Sequence, residues 1–324
     1  MKKILALVLV LAMALGMASV AQAADFPTKG IDVICPWGAG GGTDACLRAL
    51  CAAASKYLNN VTLTVENKTG GGGIIGHQAI AAAGKDKGYT LGMVTFELST
   101  YNSLGTDLSY ENYTPICRVN TDAAALSVNA AWAKENNITD LASFIAYCKA
   151  NPDTVNIGGS APASVWHIGA GLLASAADIK LKLVTYQEGA ATAVTNAAGG
   201  HIQGVSVSLA EARSQLEAGN LICLGVMSTE RSKIFPDVPT FAEEGYNVEY
   251  GTWRGMAVAK DVDPEVVAVL SDAFAKAVED PDFVTFMDNA GQTISYLNAE
   301  DFTAFMKQNL TDVAATMVEL GLNN

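Results

Sequence analysis

Two glycine-rich loops and one arginine hold most of the chemistry open to this chain. Gly38-Ala39-Gly40-Gly41-Gly42-Thr43-Asp44 places small residues at the opening of a helical stretch. Glycine lets backbone N–H groups approach a ligand, and a helix N-terminus adds about half a positive charge. The loop therefore suits a carboxylate or a phosphate. Asp44 could touch such a ligand or cap the helix with its own side chain. Arg254, beside Trp253, is the basic residue whose position suits a carboxylate, either by a bidentate contact or not at all if it only makes a surface salt bridge. Trp37, Trp166, Trp253, Phe96 and Tyr186 fall at strand ends and loop edges, where each either walls a cleft or packs in a core.

The second loop invites a different chemistry. Gly71-x-Gly73-x-x-Gly76 satisfies G-x-G-x-x-G between a strand and a helix, and Glu97 follows at the end of the next strand. That is nearly the dinucleotide fingerprint. Against it, Asn67 to Gly70 intervene between strand and first glycine and spoil the tight turn, and an export signal separates the chain from the cytoplasmic nicotinamide pool. There is no G-x-x-x-x-G-K-[ST] and no G-x-S-x-G. The three histidines, His77, His167 and His201, have no metal-ligand spacing. His167 could serve an exported hydrolase as a triad base if a serine and an acid lie within hydrogen-bond reach; a loop-orienting role is the bland alternative. No catalysis, cofactor or metal is expected.

The elements that position these residues alternate short apolar runs with helix-period segments. The pattern predicts strands at 31–36, 61–66 and 90–95 with helices at 43–57 and 74–83. It restarts with helix 141–150, strand 155–158, helix 166–177, strand 182–186, helix 190–198, strand 204–208, helix 210–218 and strand 222–226. A strand at 255–258 and helices at 264–279, 281–290 and 299–320 close the chain. Strand, loop and helix in succession imply right-handed crossovers and mainly parallel sheets flanked by helices. The last helices need a sheet to cover, and the first is the natural one. The expectation is an α/β chain of two lobes, 24–121 plus 253–324 and 122–252, joined by a two-strand hinge. Glycine loops of both lobes then face one cleft at strand carboxyl ends.

The chain has 324 residues, 50% hydrophobic and 16% charged, with 30 glycines and 9 prolines. This length suits about two domains. The positive mean hydropathy, +0.23, is partly due to residues 1–23. Lys2 and Lys3, the apolar run from Ile4 to Val20, and Ala21-Gln22-Ala23 read as a secretory signal peptide cleaved after Ala23, with a retained anchor as the alternative. Cleavage leaves 18 basic against 33 acidic residues, a net charge of −15, which disfavours nucleic acid and anionic membrane surfaces as partners. Six cysteines in an exported chain could pair. Cys35 and Cys223 sit in apolar runs, Cys46 and Cys51 point to different helix faces, and Cys117 and Cys148 remain possible partners; free buried thiols are the favoured reading.

Together these segments resemble the extracytoplasmic solute-binding proteins of tripartite tricarboxylate transporters, the TctC/Bug-type family. The matching stretches are Phe26-Pro27-Thr28-Lys29, Cys35 to Asp44, Val65-Glu66-Asn67-Lys68 with the glycines at 70 to 73, Gly88-Tyr89-Thr90-Leu91, Phe235 to Thr240, and Gly251 to Gly255. The resemblance implies a periplasmic-binding-protein clamshell that closes on a small carboxylate and delivers it to large and small membrane subunits, without catalysis; a monomer is the separate expectation. A ligand sensor on the same fold is the alternative. Family contacts carried to matching positions are Trp37, Gly40, Gly41, Gly42, Thr43, Asp44, Asn67, Gly72, Gly73, Thr95 and Phe96 in the first lobe; Arg254 joins them as a candidate from its own position at the return crossing. Ser160, Ser164, His167, Tyr186, Gly189, Ala190 and Thr192 match the second, and Ser208 is a candidate contact at a position where the chain departs from the family pattern. Many relatives have an acidic or amide pair where this chain has Val207 and Ser208. Its absence leans away from amino-acid ligands and toward plain carboxylates.

Overall fold

The computed structural model describes residues 26–323, so the signal-peptide reading lies outside the described residues. In chain order the elements are β1 (Ile31–Cys35), α1 (Gly42–Ser55), β2 (Leu63–Asn67), α2 (Ile74–Ala81), β3 (Thr90–Thr95), β4 (Tyr113–Ala123), β5 (Ala125–Asn129), α3 (Ala130–Glu135) and α4 (Leu141–Ala150). There follow β6 (Asn156–Gly158), α5 (Val165–Ala176), β7 (Lys182–Val184), α6 (Ala190–Ala198), β8 (Gly204–Val207), α7 (Leu209–Glu217) and β9 (Leu221–Val226). The chain ends with β10 (Gly251–Ala259), α8 (Pro264–Glu279), α9 (Pro281–Ala290), β11 (Thr293–Leu297) and α10 (Ala299–Glu319). Among the described residues no helix is long and apolar enough to cross a membrane.

Two sheets form, ordered β11-β4-β10-β3-β1-β2 and β7-β6-β8-β5-β9. Both are mixed, which corrects the expectation of mainly parallel sheets. The crossovers read from the sequence are parallel, β1 with β2 and β3, and β6 with β7 and β8. The remaining pairings, β10 with β3 and β4, β11 with β4, and β5 with β8 and β9, are antiparallel. Each of these pairings involves β4, β5, β10 or β11, of which the sequence pattern marks only 255–258, within β10, as a strand.

The two sheets exchange chain where β4 ends and β5 begins. Ala124 lies between them, donating its N–H to Tyr250 O at 2.8 Å and accepting from Met227 N at 2.7 Å; Tyr250 N in turn donates to Met227 O at 2.9 Å. The crossings are thus hydrogen-bonded to each other as they pass between lobes. Gly251 must be glycine here, since a Cβ would lie 2.2 Å from Asp122 O.

Packing follows the residue pattern. In α1 the stripe Thr43, Leu47, Leu50 and Ala54 is buried at helical spacing, whereas edge strand β2 alternates half-buried and exposed positions. As expected, the final helices cover the first sheet, α8 and α10 both packing on β4. All six cysteines are free thiols; Cys35, Cys46, Cys51, Cys117 and Cys148 are buried and Cys223 is half-buried.

Candidate functional site

A cavity of about 180 Å³ opens between the lobes. One wall is the turn Trp37 to Thr43, leading from β1 into α1, together with Thr95 and Glu97 beyond β3 and Thr252 and Arg254 on β10. The opposite wall is Ser160, Val165 and Trp166 around the start of α5, Glu188 to Thr192 at the start of α6, and Glu211 in the first turn of α7. Register explains the first wall: antiparallel pairing sets Arg254 beside Thr95 on one side and Asn120 on the other, with Thr252 opposite Asp122.

Three helices begin at this cavity without a side-chain cap: α1 behind Gly41, α5 behind Ser164 and α6 behind Gly189. Elsewhere, α3, α4, α8, α9 and α10 are capped by Asn129, Asp140, Asp263, Asp280 and Asn298. First-turn N–H groups have no partner within their own helix. At α5 the Val165 N–H donates to Glu97 Oε1 across the cleft at 3.4 Å. The N-termini of α1 and α6 present uncapped N–H groups from opposite walls, an arrangement suited to an anion.

The aromatic edge is fixed by polar contacts. Trp37 Nε1 donates to Thr95 Oγ1 at 3.2 Å, and Thr95 Oγ1 donates to Glu97 Oε2 at 2.5 Å. Trp37 also packs over Gly189, whose Cβ position would lie 3.6 Å from its ring. Burial raises the Glu97 carboxyl above its ordinary range, opposed by the Thr95 hydrogen bond.

Arg254 is not free to hold a ligand alone. It is 2% exposed; Nη1 pairs with Asp122, Nε donates to Thr43 Oγ1 at 2.9 Å, and Nη2 stands 3.7 Å from Glu211 Oε1. Burial opposes its charge, but Asp122 and Glu211 outweigh that and raise its pKa. The surface salt bridge considered from sequence is instead a buried one.

Of the twenty residues singled out from sequence, Trp37, Gly41, Gly42, Thr43, Thr95, Ser160, Gly189, Ala190, Thr192 and Arg254 line this cavity. The other ten stand behind it or brace it. Asp44 neither caps α1 nor lines the wall: it accepts from Gly40 N, Arg48 Nε and Asn67 Nδ2 at 3.0, 3.0 and 2.8 Å. Burial opposes its ionisation, yet these donors hold its carboxyl below the usual range. Asn67 also ties back to Trp37 O at 2.8 Å. Gly72 and Gly73 take positive φ beside the cleft. Phe96 is buried edge-on to Tyr250. The Ser164 hydroxyl pairs with Ser160 Oγ at 2.6 Å, and the Ser208 hydroxyl caps α7 by accepting from Glu211 N. Tyr186 is half-buried beside Gly158.

His167 does not meet the condition set for a hydrolase. Its Nδ1 accepts from Ala163 N at 2.9 Å, and among the described residues no serine hydroxyl or carboxylate is hydrogen-bonded to it. Among the described residues no group of His, Cys, Asp and Glu could hold a metal ion.

Glu211 and Thr252 escaped sequence reasoning, and Glu97 was noticed only for its spacing to the glycines. The missing acid after β8 proves misleading: Val207 and Ser208 are indeed not acidic, but Glu211, one turn into α7, brings a carboxylate to the same wall. The signal available was its place in the first turn of a helix at a strand end.

Residues 46–322 match the family model for the tripartite tricarboxylate transporter family receptor. A Cupriavidus necator protein, "UPF0065 protein in gbd 5'region", is 30% identical over 95% of this chain and 94% of its own length. A TctC solute-binding protein from Polaromonas, solved with no ligand, is 33% identical with a TM-score of 0.68, over 91% of this chain and 99% of that one. The periplasmic binding protein BugD is 27% identical with a TM-score of 0.84, over 92% and 99%. A family match across most of the chain, on a two-lobed fold with its cavity in the cleft, establishes that this chain belongs to the tripartite tricarboxylate transporter receptor family of solute-binding proteins.

Proposed function

We propose that this chain is exported, cleaved after Ala23, and captures a small organic carboxylate in the interlobe cavity for delivery to the large and small membrane subunits of a tripartite transporter, without catalysis. The lobes would be 24–121 plus 253–324 and 122–252, moving about the paired crossings at Ala124 and Tyr250. The observation that carries this reading is the pair of opposed, uncapped helix N-termini behind Gly41 and Gly189. Each offers N–H groups and about half a positive charge, so a carboxylate between them is held despite an acidic chain.

Closure would remove the ligand from water and strengthen each polar contact. Direct contact between the lobes, Gly38 N to Glu188 O at 3.2 Å, fits a closed arrangement. The unliganded Polaromonas protein superposes less well than BugD despite higher identity, as a rotation of one lobe would produce. Two Rhodopseudomonas palustris proteins sharing the fold at 22% identity hold malate and adipate, which illustrates what the fold can accommodate.

A melting-shift screen of di- and tricarboxylates, aromatic acids, amino acids and sulfonates tests the reading. A true ligand at a hundredfold excess over its Kd should add about 2.7 kcal/mol. If no organic acid moved the melting point while NAD or an ester substrate did, the reading would fail.

A further inference from the structure

A second cavity, of about 300 Å³, adjoins the first. Gly41, Gly42 and Glu211 line both, whereas Arg213, Ala290 and Gln292 line only the second. Its walls bring α7 of one lobe against the turn that joins α9 to β11 in the other.

Two side chains of the second lobe grip that turn. Arg213, on α7, donates through Nη1 to the Asn289 carbonyl, while its Nε holds Glu217 Oε1 one turn along at 2.7 Å. Asn289 is the penultimate residue of α9. Carbonyls of a helix's last turn have no N–H partner within the helix, and the dipole places partial negative charge there. A guanidinium answers both. Beside it, Gly291 caps α9 with φ +71, and a Cβ there would overlap Ile234 Cδ1. Ile234 belongs to the lobe of α7: the adjoining Phe235 and nearby Val238 pack against Ala125, Leu209 and Val226.

Each side of the grip is anchored in its own lobe and reaches the ligand cavity. Phe283 and Met287 bury α9 in the core of the first lobe, and Lys56 Nζ on α1 holds Asp280 at 2.8 Å. Gln292, next after Gly291, donates through Nε2 to Gly42 O at 3.0 Å, and Gly42 lines the ligand cavity. On the other side, Glu211 precedes Arg213 by two residues and lines the same cavity.

Resting on the carboxylate-capture reading and deepening it, the geometry points to Arg213 as a positioning residue for capture: with Ile234 it forms an interlobe clasp on residues 289–291, outside the ligand cavity, that stabilises the closed arrangement. Opening of the lobes breaks both contacts, because each joins one lobe to the other. Arg213 therefore tunes affinity without touching the bound acid, through the fraction of the chain that is closed and competent to hold it.

The test removes the clasp and leaves the ligand cavity intact. Arg213→Gln deletes the charge at a side chain that is 32% exposed, so the melting temperature should move by no more than about 2–4 °C. The mature chain is measured by small-angle scattering without added acid and by calorimetric titration with succinate, citrate, benzoate and L-glutamate. Losing a cation at a helix C-terminus should lower the closed-to-open ratio by about fivefold. Where the open form predominates without acid, the change appears as roughly fivefold weaker binding of whichever of the four acids the unmutated chain binds. Where the closed form predominates, it appears as a larger radius of gyration. A second pair of variants reads the clasp through shape: Gly291→Ala should open the lobes in the same assays, and adding Ile234→Ala should restore part of the closure.

An Arg213→Gln chain with neither a larger radius nor weaker binding overturns the clasp, as does weaker binding accompanied by a larger fall in melting temperature, or a Gly291→Ala chain as closed as the unmutated one. If none of the four acids binds the unmutated chain, scattering alone decides, and an unchanged radius overturns the clasp. Silence across the wider acid screen would remove carboxylate capture whatever the scattering shows, so the two failures are read apart.

Discussion

The Gly38 backbone N–H in one lobe donates to the Glu188 carbonyl in the other at 3.2 Å, and the Trp37 ring covers Gly189 beside it. The rim of the cavity is therefore closed by main chain and one indole, which leaves little room for side-chain growth where the lobes meet.

Gly72 lies at that meeting. It holds φ +67, and a Cβ there would approach Ala161 Cβ in the opposite lobe to 2.9 Å. Gly72→Ala should cost about 1–2 kcal/mol in backbone strain and hold the lobes apart. Small-angle scattering should then show a larger radius of gyration in saturating ligand, with affinity reduced about tenfold, an expected 1.4 kcal/mol.

Arg254 should be the most sensitive charged position. Removing it leaves Asp122 and Glu211 buried against each other. Arg254→Met is expected to lower unfolding free energy by about 3–5 kcal/mol, measured by denaturant titration. Adding Asp122→Asn should recover part of the loss.

His77 should set part of the acid limit. It is fully buried; Nδ1 lies 2.9 Å from Gly73 O, and Nε2 accepts from Thr95 N at 3.2 Å. A proton on Nε2 would oppose the Thr95 N–H. Burial accordingly pulls its pKa from 6.5 to about 3. The unfolded chain binds that proton first, so the contribution is complete above about pH 6.5 and lost as pH falls toward 3, on the order of a few kcal/mol. His77→Gln, which keeps a donor and an acceptor, should flatten stability against pH in that window.

The thiols should be silent. Burial pushes Cys46 and Cys117 up to about 12 and Cys35 to about 11, so little thiolate forms near neutrality. A thiol-reactive disulfide reagent should react with half-buried Cys223 first and titrate all six only after denaturation. Rapid reaction of Cys46 or Cys117 in the folded chain would contradict the packing described.

Local structure was legible where the sequence carried local signals. Gly38 to Gly42 between an apolar run and a helix, and Gly189 after another, located both walls, and α4, α6, α8 and α9 have the bounds expected. Long-range features were not legible. β4 and β5 carry no crossover pattern, and their antiparallel partners lie far along the chain, β10 for β4 and β8 and β9 for β5. Arg254 looked available because Asp122 reaches it only through the β4–β10 pairing and Glu211 only across the cleft. Glu211 resembles any acid in a helix's first turn; its burial comes from residues of the other lobe, which no local spacing records.

Trp37 and Trp166 line the cavity, so tryptophan emission titrated with small organic acids, amino acids among them, tests ligand capture directly. A saturable change with at least one acid, lost in Gly42→Val because a side chain there meets Arg254, Glu211 and Gln292 at 2.9, 3.0 and 3.1 Å, is the predicted result. Emission unmoved by every acid, or a saturable change that persists in Gly42→Val, would contradict binding in this cavity.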